Sequence, residues 1–317
     1  MQNFWNILPK PFLVLAPMED VTDFAFREVI AEISKPDVLF TEFTNTEGLF
    51  SKGFDRVVQN FKFSQKQKPI VAQIWGIQPE NFYKAGQLVR ELGFDGLDIN
   101  MGCPYKKVLK CGSGAALINN PTLAQELIAA AKEGAQDLPV SVKTRIGVDK
   151  VITEEWIGFL LNQTLSALTV HGRIAKDMSK KPADWAEIGK AVKLRNTLAP
   201  ETVIIGNGDV TSYPEALEKH KIAGVDGIMI GRGIFSNPWL FDKTNQTRTI
   251  SDRLALLHRH VQLFQDTWGS TKNFSILKKF FKVYITGFPG ADELRKRLMN
   301  CQAYNDVYSL LNGLPKF

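Results

Sequence analysis

The sequence predicts an α/β protein: a (β/α)8 TIM barrel followed by a small all-helical domain. Eight short apolar segments alternate with amphipathic segments between residues 12 and 233, which is the number of strand–helix units that closes such a barrel. The apolar segments are nearly continuous, as expected of parallel strands buried on both faces. After Phe241 the alternation ends and only helical spacing continues.

The eight predicted strands are short and rich in β-branched residues. They are Phe12–Pro17, Val38–Glu42, Ile70–Trp75, Gly96–Gly102, Val140–Ile146, Ala167–Arg173, Val203–Gly208 and Gly227–Gly233. The amphipathic runs Pro79–Leu92 and Pro121–Ala135 begin with proline, which suits the first turn of a helix because no N–H is needed there. A doubly wound sheet is the competing arrangement, but it usually carries GxGxxG after its first strand, where this sequence has Ala16-Pro17-Met18.

The C-terminal quarter differs from the barrel in pattern and in charge. Residues 242–250 are polar and predict a linker, so we divide the chain into domains 1–242 and 243–317. Helical spacing covers Ser251–Trp268, Phe274–Ile285 and Ala291–Leu311. The first domain holds 27 Lys and Arg against 28 Asp and Glu, whereas the second holds 12 against 5, a net charge of +7. This asymmetry indicates a polyanionic partner, although a solvated helical face would have the same composition.

Composition excludes several other classes of protein. No apolar run approaches the roughly 20 residues that cross a bilayer, and the N-terminus has no basic leader, so we expect a cytoplasmic protein. The three cysteines, Cys103, Cys111 and Cys301, are too few for a disulfide framework. The four histidines do not cluster around them, so no metal site is predicted.

Candidate functional residues stand at the carboxyl ends of nearly all the predicted strands, where barrel enzymes carry their active sites. One such residue is explained by packing, but seven strand ends with polar or glycine-rich sequences are not. The positions are Pro17, Met18, Gln73, Asn100, Cys103, Lys143, Arg145, His171, Arg173, Asn207, Gly208, Gly231 and Arg232.

Two glycine-rich loops follow the seventh and eighth predicted strands, where barrels often bind phosphate. Glycine lets backbone N–H groups approach an anion, and Arg232 would add a charged contact. Lys143 is costly to bury without an anionic partner, unless it snorkels out of the barrel. His171 has the alternative role of a core histidine. These positions together predict a phosphate-bearing cofactor.

Cys103 follows the fourth predicted strand in a Gly-Cys-Pro turn. Buried cysteine is usually an inert, small apolar residue, but a turn at the barrel mouth is a different setting. An ordinary thiol is mostly protonated at neutral pH, so Cys103 is a candidate proton donor. For Cys111 and Cys301 we prefer a structural role.

Together these motifs closely resemble the tRNA-dihydrouridine synthase family, over the whole barrel and into the C-terminal segment. The Asn-x-Gly-Cys-Pro segment is the most specific of them, since the glycine-rich strand ends match many flavin barrels. The motifs are Ala16-Pro17-Met18 with Val21-Thr22-Asp23 and Phe26-Arg27, Asp98-Ile99-Asn100-Met101-Gly102-Cys103-Pro104 with Lys107-Val108, Lys143-Thr144-Arg145, Val170-His171-Gly172-Arg173, Gly206-Asn207-Gly208-Asp209, and Gly231-Arg232-Gly233 followed by Asn237-Pro238-Trp239.

The resemblance implies FMN-dependent reduction of uridine to 5,6-dihydrouridine in tRNA, with NADPH or NADH as the reductant and a D-loop uridine as the expected target. Hydride would pass from FMN N5 to C6 of the uracil, and a proton from Cys103 to C5. Asn100, Arg145 and Arg173 would hold the substrate, while the basic C-terminal domain of a monomeric enzyme would bind RNA. FMN would be held by Pro17, Met18, Gln73, Lys143, His171, Asn207, Gly208, Gly231 and Arg232.

The sequence departs from the family pattern in two places. The loop after the sixth strand has Ile174 where the family usually has Thr, and residues 175–182 are rich in lysine, while Glu19-Asp20 is unusually acidic. Three other functions stay open: a dihydroorotate-dehydrogenase-like FMN barrel, a catalytically inactive RNA-binding protein, and a dihydrouridine synthase acting on ribosomal RNA. The dehydrogenase pattern Asn-x-Ser-x-Pro-Asn is not matched, since Tyr105 follows the proline.

Overall fold

The computed structural model describes residues 3–244, 246–269 and 271–314. Residues 1–2, 245, 270 and 315–317, which belong to the two predicted domains, lie outside the described residues. Eight parallel strands form a closed barrel, which confirms the predicted fold class. These eight strands and the additional strand β3 are β1 Phe12–Leu15, β2 Val38–Phe40, β3 Thr44–Asn45, β4 Ile70–Trp75, β5 Gly96–Met101, β6 Val140–Arg145, β7 Ala167–His171, β8 Val203–Asn207 and β9 Gly227–Ile230.

Strand β3 was not predicted and is not one of the eight barrel strands. It contributes two residues that pair with Ile74 and Trp75 of β4. The barrel closes instead through direct pairing of β2 with β4, where Leu39 lies opposite Ile70. Two residues are too few for a periodic pattern, so the sequence gives no signal for β3.

Helices surround the barrel and continue beyond it. The α-helices are α1 Phe24–Ile33, α2 Thr46–Leu49, α3 Phe54–Val57, α4 Pro79–Glu91, α5 Lys106–Lys110, α6 Pro121–Ala135, α7 Thr153–Leu161, α8 Trp185–Leu198, α9 Tyr213–Ala223, α10 Ile250–Trp268, α11 Phe281–Tyr284, α12 Ala291–Asn300 and α13 Tyr304–Asn312. The 3-10 helices are Phe4–Ile7, Val58–Phe61, Gln65–Gln67, Gly114–Asn119, Arg232–Phe235 and Phe274–Phe280.

The C-terminal helices confirm the helical prediction but correct its boundaries. Predicted helix Phe274–Ile285 is mostly a 3-10 helix, and predicted helix Ala291–Leu311 is two helices. The break falls at residues 301–303, because the Asp306 side chain accepts the backbone N–H groups of Gln302 (2.8 Å) and Ala303 (3.0 Å). This contact caps the start of α13 and competes with continuation of α12.

The C-terminal helices pack directly on the barrel helix α1. Phe26 of α1 stacks on Phe280, with ring centroids 5.1 Å apart. Arg259 of α10 pairs with Glu32 at 2.7 Å, and Lys272 lies 3.4 Å from Asp23, the N-cap of α1. The helical segment therefore reaches the loop that follows β1, at the mouth of the barrel.

Two sectors of the barrel interior differ in chemistry. The polar sector, on β4, β5 and β6, comprises Gln73, Asp98, Asn100, Ser141, Lys143 and Arg145. The apolar sector, mainly on β1, β2, β8 and β9, includes Phe12, Val14, Val38, Phe40, Val203, Ile205 and Met229, with Val71 of β4 and Ala167 of β7 at its margins. Trp5, from the first 3-10 helix, packs on Phe12 and Phe40 with ring centroids 5.8 and 6.3 Å apart and plugs the end where the strands begin.

Candidate active site

A cavity of about 500 Å³ opens at the carboxyl ends of the barrel strands. Ten of the thirteen residues predicted for the site line it: Pro17, Met18, Lys143, Arg145, His171, Arg173, Asn207, Gly208, Gly231 and Arg232. Cys103, Gln73 and Asn100 are not among the lining residues, although Pro104, the neighbour of Cys103, is. Strand register brings these positions together: Arg145 lies opposite His171, which lies opposite Asn207.

Lys143 projects from β6 into the cavity. Its Nζ donates to Asn207 Oδ1 at 3.2 Å, and Asn207 Nδ2 in turn donates to the Met229 carbonyl at 2.8 Å. Burial, together with the neighbouring charge of Arg145, lowers the pKa of Lys143 to about 8. The ammonium group still has hydrogen-bonding capacity for an anionic ligand, since it carries three donors.

His171 is neutral and acts as an acceptor. Burial and the surrounding charges of Arg145 and Lys143 lower the pKa of His171 well below its ordinary value. Arg173 Nη1 lies 3.1 Å from His171 Nε2. Because a guanidinium can only donate, Nε2 must accept and the imidazole proton lies on Nδ1.

Arg173 is held by the protein itself. It is 4% exposed, and its guanidinium donates to Asp209 and to the Lys181 carbonyl as well as to His171. Asp209 also lies 3.4 Å from Arg232, whose side chain is 59% exposed. The Arg232 guanidinium is therefore freer than that of Arg173 to meet an anionic group.

Glycine is required at Gly208 and leaves space at Gly231. Gly208 has a φ of +136°, and a Cβ there would lie 2.4 Å from the Ala183 Cβ. A Cβ at Gly231 would approach Ala16 and Met18 no closer than 3.7 Å, so it would project into the cavity instead of clashing. Gly231 therefore leaves a small open space in the cavity wall, the cradle, which any side chain would fill.

Arg145 connects the Cys103 loop to the atypical loop after β7. Its Nε donates to the Gly102 carbonyl at 2.7 Å, and its Nη1 lies 3.2 Å from the Met178 carbonyl and 3.3 Å from the Ile174 carbonyl. Met178 and Ser179 line the cavity as a result. The lysine-rich loop is therefore part of the site, although it departs from the family pattern.

The thiol of Cys103 is half-buried at the edge of the site. Burial raises the pKa of Cys103, while the Tyr105 backbone and the charge of Arg145 oppose the rise. The Cys103 backbone is fixed on both sides: its N–H donates to Asn100 Oδ1 at 2.9 Å, and its carbonyl accepts from Ala115 N at 3.1 Å. The group is thus a protonated thiol in a defined position at neutral pH.

Three acidic residues of the barrel mouth were not assigned from the sequence. Asp98 and Asp209 belong to quoted motifs, and Glu42 is the last residue of a predicted strand. Glu42 is 3% exposed and accepts from Asp20 N at 2.6 Å. Burial and the negative charge of Asp23 raise the pKa of Glu42 to about 7. The sequence signal that points to Asp98, Asp209 and Glu42 is their position in or near the ends of predicted strands.

The described residues contain no group of three or more His, Cys, Asp or Glu side chains placed to hold a metal ion. None of the helices among them is both long and apolar enough to span a membrane.

The fold and the strand-end cavity place the chain among the barrel enzymes. Its barrel resembles those of histamine dehydrogenase from Rhizobium sp. 4-9 (TM-score 0.54, 14% identity, 79% of this chain and 48% of that chain) and of a variant of NCR from Zymomonas mobilis (TM-score 0.51, 16% identity, 80% and 95%). At these identities the likeness concerns the fold alone.

Sequence comparison is more specific. The family model for dihydrouridine synthase (Dus) matches residues 14–314. The probable tRNA-dihydrouridine synthase 2 of Bacillus subtilis (strain 168) is 46% identical over 318 residues, covering 99% of this chain and 97% of the relative. The probable tRNA-dihydrouridine synthase of Staphylococcus aureus (strain MRSA252) is 43% identical over 314 residues, covering 98% and 95%. The chain belongs to the dihydrouridine synthase family, a family of FMN-dependent oxidoreductases.

Proposed function

We propose that this enzyme reduces uridine to 5,6-dihydrouridine in tRNA, at a position in the D-loop. FMN would be the cofactor, and NADPH or NADH would be the reductant. The observation that carries the proposal is the composition of one cavity: four cationic side chains and one carboxylate line it, and a protonated thiol stands at its edge. Such a cavity favours an anionic cofactor and keeps an acid within reach of a bound base.

The cavity residues fit FMN. The exposed guanidinium of Arg232 and the open cradle at Gly231 suit a phosphate group, as glycine-rich loops of barrels commonly do. The ammonium of Lys143, with Asn207 as its partner, would face the electron-rich edge of the ring system. Pro17, Met18, His171 and Gly208 complete the proposed FMN contacts.

Gln73 stands apart from the other proposed FMN contacts. It is fully buried, and its amide is engaged by Asp98 at 2.7 Å and by Asn100 at 3.0 Å. A direct contact between Gln73 and FMN would require one of its amide atoms to serve a second partner.

Reduction of the uracil C5–C6 bond needs a hydride donor on one side and an acid for the other carbon. Bound FMN, reduced by the nicotinamide cofactor, would supply hydride to C6. Cys103 would donate its proton to C5, and the burial that raises its pKa keeps the proton on sulfur until then. Asn100, Arg145 and Arg173 would shape the uracil-binding side of the cavity, chiefly by holding loops: Asn100 accepts from Cys103 N, and the two guanidinium groups already donate to protein acceptors.

The decisive test compares Cys103→Ala with the parent enzyme on unmodified tRNA. We expect Cys103→Ala to bind FMN and to be reduced by NADPH, but to lose about 100-fold or more in dihydrouridine formation, as removal of a general acid typically does. Mass spectrometry of the tRNA measures the gain of two mass units and locates it, while flavin bleaching measures the first half-reaction. Full turnover by Cys103→Ala would refute the proton-donor role.

If the parent enzyme oxidises NADPH but modifies no tRNA, the proposed substrate is wrong. Ribosomal RNA and then free dihydropyrimidines would be the next substrates to measure. A protein that binds tRNA but neither FMN nor NADPH would instead be an inactive RNA-binding member of the family. Monomeric state and cytoplasmic location stay predictions from the sequence.

We also propose that residues 243–317 form the RNA-docking domain. Exposed cations surround a shallow recess of about 770 Å³ formed by residues 278–300, among them Lys282 and Lys296. A uridine must leave its stack to reach a barrel mouth, so the flanking RNA needs a docking surface beside that mouth. The contact of Lys272 with Asp23 brings this helical segment to the mouth.

Charge reversal tests this docking surface. Lys282→Glu with Lys296→Glu should weaken tRNA binding about tenfold or more and lower its salt dependence, because phosphate contacts release counterions. The matched control reverses two exposed lysines on the outer barrel helices, Lys193→Glu with Lys221→Glu. Binding isotherms at several salt concentrations measure both pairs. Equal losses in the two pairs would show that net charge, and not this surface, attracts the RNA.

A further inference from the structure

A chain of buried hydrogen bonds crosses three strands of the polar sector and ends at the Cys103 backbone. Ser141 Oγ donates to Asp98 Oδ1 at 2.6 Å, and Gln73 Nε2 donates to Asp98 Oδ2 at 2.7 Å. Asn100 Nδ2 then donates to Gln73 Oε1 at 3.0 Å. Asn100 Oδ1 accepts both Gly102 N (3.1 Å) and Cys103 N (2.9 Å).

Strand register builds the first part of this chain. Asp98 of β5 lies directly opposite Gln73 of β4 on one side and opposite Ser141 of β6 on the other. Gln73 and Asp98 are fully buried, and Ser141 and Asn100 are 1% and 6% exposed. Water is therefore excluded from the links, and each group depends on its protein partners.

Asp98 has an unusual environment for a buried carboxylate. Its hydrogen-bond donors within the described residues are a hydroxyl and an amide, both neutral. Burial raises the pKa of Asp98 to about 6, although the bonds from Ser141 and Gln73 and the charge of Lys143 oppose the rise. At pH 8 the group is still ionised, so it can only accept hydrogen bonds. The charge of Lys143 acts on Asp98 without a hydrogen bond, and a buried carboxylate whose hydrogen-bond donors among the described residues are neutral is costly to fold, which points to a role other than stability.

Because Asp98 can only accept hydrogen bonds, it determines which end of the Gln73 amide, and then of the Asn100 amide, donates and which accepts. Gln73 must turn its NH2 group toward Asp98 and its oxygen toward Asn100. Asn100 must then turn its NH2 group toward Gln73, which leaves its oxygen for the two backbone N–H groups. Reversal of Gln73 alone would set its oxygen against the Asp98 carboxylate and its NH2 group against that of Asn100, whereas reversal of Asn100 would set its NH2 group against the Cys103 N–H.

We propose that Asp98 is a positioning residue for the reacting thiol: through Gln73 and Asn100 it orients the amide oxygen that holds the Gly102–Cys103 backbone. This inference rests on the proposed role of Cys103 as proton donor. Asp98 lies two residues before Asn100 on β5 and is not among the residues that line the cavity. Its effect on the reaction is transmitted by the direction of hydrogen bonds.

Two substitutions separate orientation from charge. Asp98→Leu removes the acceptor that sets the direction of Gln73, so the Gln73 amide can reverse and withdraw its oxygen from the Asn100 NH2 group. Asp98→Asn keeps an acceptor for Gln73, because its NH2 group can turn toward Ser141, whose hydroxyl can accept that bond. Asp98→Asn should therefore rescue the orientation without the charge. Thr169→Val is the matched control, since the Thr169 hydroxyl is 1% exposed inside the barrel and lacks a hydrogen-bond partner among the described residues.

The measurement is single-turnover dihydrouridine formation at pH 8 by FMN-loaded, pre-reduced enzyme on unmodified tRNA. We expect Asp98→Leu to be slower by about 100-fold, the scale of a misplacement near 1 Å, with flavin reduction by NADPH unchanged. Asp98→Asn and Thr169→Val should stay within about threefold of the parent. A 100-fold loss in Asp98→Asn would overturn the orientation argument, and Asp98→Asn carries this test even if Asp98→Leu fails to fold.

A double-mutant comparison distinguishes positioning from general damage. In the Cys103→Ala background, Asp98→Leu should cause little further loss, because the thiol that it positions is already absent. An equal loss in both backgrounds would show that Asp98 acts on the whole site and would refute the proposal. If Cys103→Ala is inactive while Asp98→Leu is as fast as the parent, only the positioning role falls. Full activity of Cys103→Ala would refute the proton-donor role of Cys103, and with it the positioning role of Asp98.

Discussion

The polar and apolar sectors of the barrel share one strand geometry but hold their interiors together in opposite ways. In the apolar sector, side chains such as Phe12, Phe40 and Met229 pack without specific partners. In the polar sector, Gln73 and Asp98 have directed partners on neighbouring strands. Packing tolerates small shifts, whereas a hydrogen-bond chain has one satisfied arrangement. The comparison suggests that stability resides in the apolar sector and the precision of the site in the polar sector.

The largest effect on stability is expected from Phe12→Ala in the apolar sector. Phe12 is fully buried between Trp5 and Gly227, so its removal leaves a cavity and should lower the free energy of unfolding by about 3 to 5 kcal/mol. Urea unfolding measures the change, with Phe54→Ala, at a side chain 40% exposed, as the control. Turnover per folded molecule should be close to that of the parent; a loss of turnover without a loss of stability would reverse the assignment of the two sectors.

The next effect concerns ligand binding and falls in the polar sector. Lys143→Met removes a half-buried ammonium that donates to Asn207 and whose charge acts on Asp98, but it also removes the desolvation of that ammonium, so we expect little change in stability. FMN binding should weaken by about 1.5 to 3 kcal/mol, the usual contribution of a charged hydrogen bond. Titration followed by flavin fluorescence measures this affinity, and Lys150→Met, at an exposed lysine in the loop after β6, serves as the control. Unchanged FMN affinity would remove Lys143 from the proposed cofactor site.

We expect the stability of the folded protein to depend on pH through Glu42, which lies where the apolar sector meets the barrel mouth. The pKa of Glu42 is about 7 in the folded protein and lower in the unfolded chain, so the folded state binds more protons between these two values. The folded protein should therefore lose stability as the pH rises from about 5 through 7. Glu42→Gln should remove that loss and gain about 1 to 3 kcal/mol at pH 8 relative to the parent.

Thermal unfolding of Glu42→Gln and the parent at pH 5 and pH 8 checks the sign. The difference between the two proteins should be larger at pH 8. A variant that is destabilised most at pH 8 would show that Glu42 is held ionised by Lys272 and Arg27, against the effect of burial.

The sequence predicts those parts of the molecule that depend on local pattern. Strand–helix alternation located all eight barrel strands, and the strand-end rule brought Lys143, His171 and Arg232 to one cavity. The positioning role inferred for Asp98 has no local signal, because it depends on the register of three strands and the direction of two side-chain amides. Likewise, the break between α12 and α13 depends on the contact of Asp306 with residues 302 and 303, which competes with an otherwise continuous helical pattern.

The plug at the lower end of the barrel has a kinetic consequence. Trp5, Phe12 and Phe40 close that end, so within the described residues the cavity is approached from the mouth. In the proposed reaction, the reductant and the RNA nucleotide would use this same entrance, and we expect them to arrive in turn. Parallel lines in double-reciprocal plots would be the steady-state signature of that order. Excess RNA would also slow the enzyme, because an occupied mouth delays the arrival of the reductant.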